Sequence, residues 1–180
     1  MPFDLDAARA RLTADFPLVN AHPDVAGVLR NPQLLALLGP ALAAPYREAG
    51  ITAICAPEAR GPILGALVAV ELGAGLVLVR KDDRNHPGAD RRVESDPTWR
   101  GTPEVFQTRS WDLSPADRVL VVDDWVTTGS STAAMRDLVL ASGATYAGAS
   151  VIVHKASDAT IADLAMHWLV RFDDLISRES

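Results

Sequence analysis

The run from Val119 to Thr132 constrains this chain more than any other stretch. Four apolar residues, Val119 to Val122, lead into two adjacent carboxylates, Asp123 and Asp124, then Trp125 and Val126, and then a turn of hydroxyls and glycine from Thr127 to Thr132. The helical pattern of Ala133, Ala134, Met135 and Leu138 follows and is closed at Gly143. A buried strand, a turn and a helix N-terminus in immediate succession is the repeating unit of a parallel α/β sheet. The first turn of a helix presents unpaired N–H groups and the positive end of its dipole, which suits a phosphate. Carboxylates at the carboxyl edge of a strand suit sugar hydroxyls or a hard cation such as Mg²⁺. Each half also has a plain structural alternative, because acidic residues often end strands and a Thr/Ser turn can simply cap a helix.

The other strands and helices can be placed around this unit. Ile51 to Ala56 reads as a strand, Pro62 opens a helix with Leu64, Leu67 and Val68 inward, Gly73 closes it, and Leu76 to Val79 makes the next strand. That is a βαβ unit, with Glu58, Ala59, Arg60 and Gly61 at its first strand-to-helix turn and Arg80 and Lys81 after its second strand. A polar segment from Asp82 to Trp99 follows, before Val105 to Thr108 returns toward the sheet. A loop of that length inside a compact domain is expected to be a lid. It is locally cationic, with Arg80, Lys81, Arg84, Arg91 and Arg92 against Asp82, Asp83 and Asp90. Tyr146 to Val153 forms a further strand ending in His154 and Lys155, a short helix spans Ser157 to Leu164, and Met166 to Val170 is the last strand. The expected fold is therefore α/β, a doubly wound parallel sheet whose ligands collect at the carboxyl edges of the strands.

Before the first strand, Leu5, Ala8, Leu12 and Phe16 share one helical face. Residues 17–31 read as an irregular connection. Pro32 suits the first position of a helix that Gly39 and Pro40 should kink or split.

Composition narrows the function. A chain of 180 residues is long enough for one well-buried domain and short for two. Its net charge of -6 argues against a nucleic-acid surface, so any anion must be held by a local cluster. No run of about 18 apolar residues suggests a membrane span, and the acidic N-terminus does not read as a secretory leader. The lone Cys55 sits in an apolar run, as a buried thiol in a reducing cytoplasm would.

The stretch from Val119 to Thr132 resembles the phosphoribosyl pyrophosphate (PRPP) signature of the type I phosphoribosyltransferases, with Trp125 where that family usually carries an aliphatic residue. Glu58 to Gly61 resembles the pyrophosphate loop of the adenine branch. The segment from Arg80 to His86 looks like the mobile loop of the orotate branch, with Arg84 in place of a lysine. The resemblance covers about residues 50–155 and implies a small hood from the segments 1–49 and 156–180. It implies transfer of ribose 5-phosphate from PRPP to a nucleobase, adenine-like in framework, with release of pyrophosphate, assistance from Mg²⁺, and a homodimer. Orotate or 6-oxopurine transfer, or a non-catalytic PRPP-binding regulator, are the alternatives.

Carried over onto this chain, the resemblance assigns the 5-phosphate to Thr127, Thr128, Gly129, Ser130, Ser131 and Thr132. Asp123 and Asp124 are the catalytic pair, holding the ribose hydroxyls directly or through the metal. Glu58, Ala59, Arg60, Gly61, Arg80, Lys81, Arg84 and His86 are assigned to the pyrophosphate. Lys155 stands 31 residues after Asp124, where the orotate and 6-oxopurine branches meet a base oxygen. Trp168 or Phe172 is expected to stack on the base. The aromatic and acidic signature that the adenine branch shows late in its mobile loop is absent, and Glu94 and Glu104 are the nearest candidates for a general acid or base.

Overall fold

The computed structural model describes residues 3–179. In chain order it comprises α1 (Leu5–Asp15), β1 (Leu18–Val19), β2 (His22–Pro23), α2 (Val25–Arg30), α3 (Pro32–Ala43), β3 (Ala53–Pro57), α4 (Gly61–Leu72) and β4 (Gly75–Lys81). There follow β5 (Arg91–Glu94), β6 (Val105–Thr108), β7 (Arg118–Val126), α5 (Ser130–Ala141), β8 (Thr145–His154), α6 (Asp158–Asp163), β9 (Met166–Arg171) and α7 (Phe172–Ile176).

Seven strands form one sheet in the order β5-β6-β4-β3-β7-β8-β9. The five from β4 to β9 run parallel to their neighbours, whereas β6 pairs antiparallel with β4 and β5 antiparallel with β6. The inner strands β3, β7 and β8 are buried on both faces, which is why they read as continuous apolar runs rather than alternating ones. Alternation still decides which layer each residue meets. Ile54, Leu120, Val122 and Ile152 pack against Leu12, Leu34, Leu38, Leu64 and Val68 of the α1, α3 and α4 layer. Cys55, Val77, Val121 and Val151 pack against Met135, Leu138 and Val139 of α5. The doubly wound expectation is met, with an antiparallel extension that the expected all-parallel sheet lacked.

Four expectations about local structure are corrected. Residues 17–31 are not an irregular connection: they hold the β1–β2 hairpin and the two-turn helix α2, which buries Val25 and Val28. Pro40 does not split α3, which runs unbroken from Pro32 to Ala43 behind an Asn31 cap whose side chain accepts from the Gln33 and Leu34 N–H groups. A proline in a helix interior costs about 3 kcal/mol, and burying one leucine contributes ~1.5–3 kcal/mol. Leu34, Leu38 and Leu42 are all fully buried, so packing outweighs the lost bond. Gly39 serves that packing, since a Cβ there would lie 3.3 Å from the Leu67 carbonyl oxygen of α4.

The segment between β4 and β6 is not structureless either. Its second half folds back as β5, so that Arg91 to Glu94 pairs with Thr108 to Val105, and the lid is a β-ribbon continuing the sheet. Finally, β7 does not end at the carboxylates. It pairs with β8 as far as Val126 against His154, and the chain leaves the sheet two residues after Asp124.

No helix among the described residues is long and apolar enough to cross a membrane.

Candidate active site

The carboxyl ends of β3, β4, β7 and β8 open into a single cavity of about 1040 Å³. Its floor is the turn from Thr127 to Thr132. Gly129 takes the position before α5 in the left-handed region (φ 87°) and provides no side-chain cap for the helix. Only glycine adopts that conformation without strain, and here a Cβ would also fall 2.5 Å from the Thr160 methyl carbon. The Thr128 hydroxyl lies 2.7 Å from the Ser130 hydroxyl and 3.3 Å from the Ser130 N–H. The Ser130 N–H is thus spent on Thr128, but with no capping side chain at Gly129 the Ser131 and Thr132 N–H groups of the first turn of α5 remain for an anion.

Beside the turn stand the two carboxylates. Asp124 is buried and accepts from the Arg60 Nε at 2.6 Å and Nη2 at 2.5 Å. Asp123 turns one oxygen back to accept the Asp124 N–H at 2.8 Å. Burial and the adjacent Asp124 push the Asp123 carboxyl well above the usual carboxylate range, with Arg60 acting in the opposite direction. Gly61 lets the start of α4 approach this pair, since a Cβ there would meet Asp123 Oδ1 at 3.3 Å and the Val122 carbonyl oxygen at 3.3 Å.

On the cationic side, Lys81 reaches the cavity and pairs with Glu104 at 2.5 Å. Glu58 organises the strand ends by accepting from the Lys81 N–H at 2.9 Å and the Arg80 Nε at 3.0 Å. The Glu58–Ala59 peptide is cis.

The structure thus brings Glu58, Ala59, Arg60, Lys81, Asp123, Asp124, the whole turn from Thr127 to Thr132, and Lys155 to one cavity. Gly61 lies behind this lining against Asp123, and Arg80, Arg84, His86 and Trp168 are not brought there. Successive strand residues point to opposite faces, so Arg80 turns away from Lys81 to hold Glu58 and the Asn85 carbonyl. Arg84 lies in the exposed turn beside Asp83, at 3.6 Å. His86 belongs to the same excursion, whose backbone is tied by Gln107 to the Lys81 and Arg84 carbonyls. Trp168 sits on the α5 side of β9, between the guanidinium groups of Arg9 and Arg171 and 4.8 Å from the His154 ring.

Of the two aromatics expected to stack on the base, Phe172, one residue past β9, is the one that faces the cavity. Lys155 Nζ lies 4.5 Å from the centre of its ring. Of the two candidate acids, Glu104 lines the cavity and Glu94 does not.

Sequence reasoning missed an aromatic wall. His22 stacks on Trp125 with ring centres 5.3 Å apart, and Phe172 meets Trp125 edge-on at 5.7 Å. Trp125, the departure within the signature, is therefore the hub between the β1–β2 hairpin and α7. Its signal was its strangeness: a bulky aromatic placed two residues from the expected phosphate turn needs partners, and His22 and Phe172 supply them.

No protein-family model matches the chain. It is 36% identical over 151 residues to the adenine phosphoribosyltransferase of Streptomyces clavuligerus, covering 83% of both chains. It is 33% identical over 162 residues to that of Nitrosococcus oceani, covering 88% of this chain and 93% of the relative. Among solved structures, the adenine phosphoribosyltransferase of Rhodothermus marinus superposes with a TM-score of 0.76 at 26% identity, covering 92% of this chain and 99% of that one. The Leishmania tarentolae counterpart also gives 0.76, at 27% identity, covering 94% and 89%.

Proposed function

Since the chain belongs to the adenine phosphoribosyltransferase family, we propose that it transfers the ribose 5-phosphate of PRPP to adenine, with release of pyrophosphate, as a step of purine salvage. The observation that carries this reading is the convergence in one cavity of a helix N-terminus with free first-turn N–H groups, a carboxylate pair and two cations, Arg60 before α4 and Lys81 at the end of β4. Each element answers one part of PRPP: the 5-phosphate, the ribose hydroxyls and the diphosphate.

The chemistry follows from charge. Breaking the bond at the anomeric carbon leaves positive charge on the ribose and negative charge on the departing diphosphate. Asp123 and Asp124 stabilise the first, and Arg60 and Lys81, redirected from their carboxylate partners, stabilise the second. The turn from Thr127 to Thr132 anchors the donor so that its anomeric carbon stays in place while the acceptor approaches. Glu104 is the cavity-lining carboxylate nearest in chain to the lid tip and is the candidate for moving the acceptor's proton, held by Lys81 until the diphosphate takes that lysine.

Among the described residues no three His, Cys, Asp or Glu side chains converge to hold a metal. Mg²⁺ fits nonetheless, because it is commonly bound through one or two carboxylates with substrate phosphates and waters completing the shell. Asp123 and Asp124 would hold it. It would neutralise the diphosphate, and its charge would favour the ionised form of Asp123.

Lys155 favours a second reading of the acceptor. It is exposed, lines the cavity and has no carboxylate within ion-pair distance among the described residues, so it is free to meet an oxygen on the base. Residues before 50 and after 155 form the hood of a single domain in this reading, and we take the protein to act in the cytoplasm as a homodimer. The decisive test is pyrophosphate release from PRPP and Mg²⁺ with adenine, hypoxanthine, guanine, xanthine, uracil and orotate in turn. Turnover with adenine is expected. Turnover confined to an oxo-base would move the assignment to the second reading, and PRPP binding without turnover on any base would favour a regulator.

A further inference from the structure

While Glu104 at the base of the lid ribbon holds Lys81, the tip of the ribbon leans onto the phosphate turn. The Ser130 hydroxyl, at the first position of α5, donates to the Pro97 carbonyl at 3.0 Å. The residues that follow form a tight turn. Thr98 N–H and hydroxyl both donate to the Thr102 carbonyl, at 3.0 and 3.1 Å, and Gly101 N–H donates to the Thr98 carbonyl at 2.8 Å. Thr98, Trp99 and Arg100 of this turn line the same cavity as the phosphate cradle.

The cradle itself, from Thr127 to Thr132, contains no cation. Four Lys or Arg side chains line the cavity. Arg60 is committed to Asp124 and Lys81 to Glu104, while Lys155 stands beside the Phe172 ring. Arg100 has no carboxylate within ion-pair distance among the described residues. Its guanidinium instead lies over the Trp99 ring, 5.0 Å from the centroid, which stiffens the side chain without neutralising it. A phosphate monoester dianion resting on backbone N–H groups and hydroxyls lacks a counter-charge, and arginine supplies one in a planar fork matched to phosphate oxygens.

We propose that Arg100 is a 5-phosphate-binding residue delivered by the lid, so that the phosphate of the ribose end, and not only the diphosphate, is closed over when the lid docks on Ser130. The proposal deepens the PRPP reading given above and rests on it. Arg100 acts on the end of the donor remote from the breaking bond, so its contribution is to binding and positioning.

The test uses two probes that separate the ends of the donor, ribose 5-phosphate and pyrophosphate, each titrated calorimetrically into the whole protein and into Arg100→Ala and Arg100→Lys. Arg100 is exposed on a turn, so its replacement leaves the core intact. A charge-assisted contact of this kind changes affinity by about tenfold or more. Arg100→Ala is expected to weaken ribose 5-phosphate by about that factor, to leave pyrophosphate unchanged, and to reduce the salt dependence of ribose 5-phosphate binding; Arg100→Lys recovers part of the loss. Equal ribose 5-phosphate affinity in wild type and Arg100→Ala overturns the proposal while leaving the PRPP reading standing, as does a loss confined to pyrophosphate. Wild-type protein that binds neither probe removes the PRPP reading and this proposal with it.

Discussion

The indole of Trp125 and the imidazole of His22 are stacked, 14° from parallel, although the two residues belong to the central strand β7 and to a peripheral two-residue strand. Trp125 lies one residue past the carboxylate pair, so the stack ties the wall of the cavity to the ribose end of the proposed donor. Aromatic pairs contribute about 0.5–1.5 kcal/mol beyond their buried area. Trp125→Val, which restores an aliphatic residue, removes both the His22 and the Phe172 contacts. The KM for the base should rise about tenfold while the KM for PRPP changes little, as read from steady-state kinetics with each substrate varied in turn. An equal rise in both would place Trp125 in the donor site instead.

Arg60 and Asp124 predict a separation of activity from stability. Replacing both carboxylates, Asp123→Asn with Asp124→Asn, is expected to lower turnover by at least about 100-fold, the loss typical of removing preorganised charge. Arg60 is half exposed, so water can solvate its guanidinium once the partner is neutral. The change in unfolding free energy from the lost pair should stay within about 1 kcal/mol. Far-ultraviolet circular dichroism and a denaturant titration check the second half, and wild-type rates in the double variant would refute the placement of the site.

Asp123 makes the ligand-free protein sensitive to pH. Its carboxyl is held above the ordinary value by burial and by Asp124, so the folded state binds its proton more tightly than the unfolded chain. The stability this contributes is complete below the ordinary carboxylate pKa near 4 and is lost as pH rises through the raised value. Thermal unfolding followed from pH 4 upward should show this decline in the wild type and a flatter profile in Asp123→Asn. Parallel profiles would remove Asp123 as its source.

His167 sets the opposite trend at the acid end. Its Nε2 donates to the Ala41 carbonyl at 3.2 Å, Arg9 approaches its Nδ1, and burial followed by the Arg9 charge lowers its pKa to about 4. A group depressed from about 6.5 contributes stability that is fully present above that value and is lost as pH falls through about 4. His167→Gln keeps a donor for Ala41 but does not titrate. Its melting temperature should fall less steeply than that of the wild type between pH 6.5 and 4.

The parallel strands and the phosphate turn were legible because their physics is local: double-sided burial demands continuous apolar runs, and a helix start beside glycine and hydroxyls leaves a clear pattern. The lid ribbon was not, because β5 runs Arg91, Arg92, Val93, Glu94, pairs with one strand only and turns just Val93 toward the core, so its sequence carries little burial signal. Helix α2 is six residues long and holds its shape by tertiary contacts of Val25 and Val28, not by propensity. Which of Trp168 and Phe172 faces the cavity turned on where β9 ends and α7 begins, a matter of one or two residues that periodicity does not resolve. Arg84 and His86 were drawn toward the site by their order in the chain, whereas the antiparallel return of β6 carries that turn away from it.

Cys55 gives the molecule an internal clock. The sole thiol of the chain sits at the middle of β3, fully buried beneath α5, and burial pushes its pKa up to about 12. A thiolate reagent therefore has nothing to react with until β3 is torn from both parallel neighbours. Alkylation, read by a single mass increment, counts whole-molecule openings and is blind to the excursions of the lid. Occupancy of the cavity by either half of the donor should slow that labelling in proportion to how firmly it is held, without any catalytic turnover.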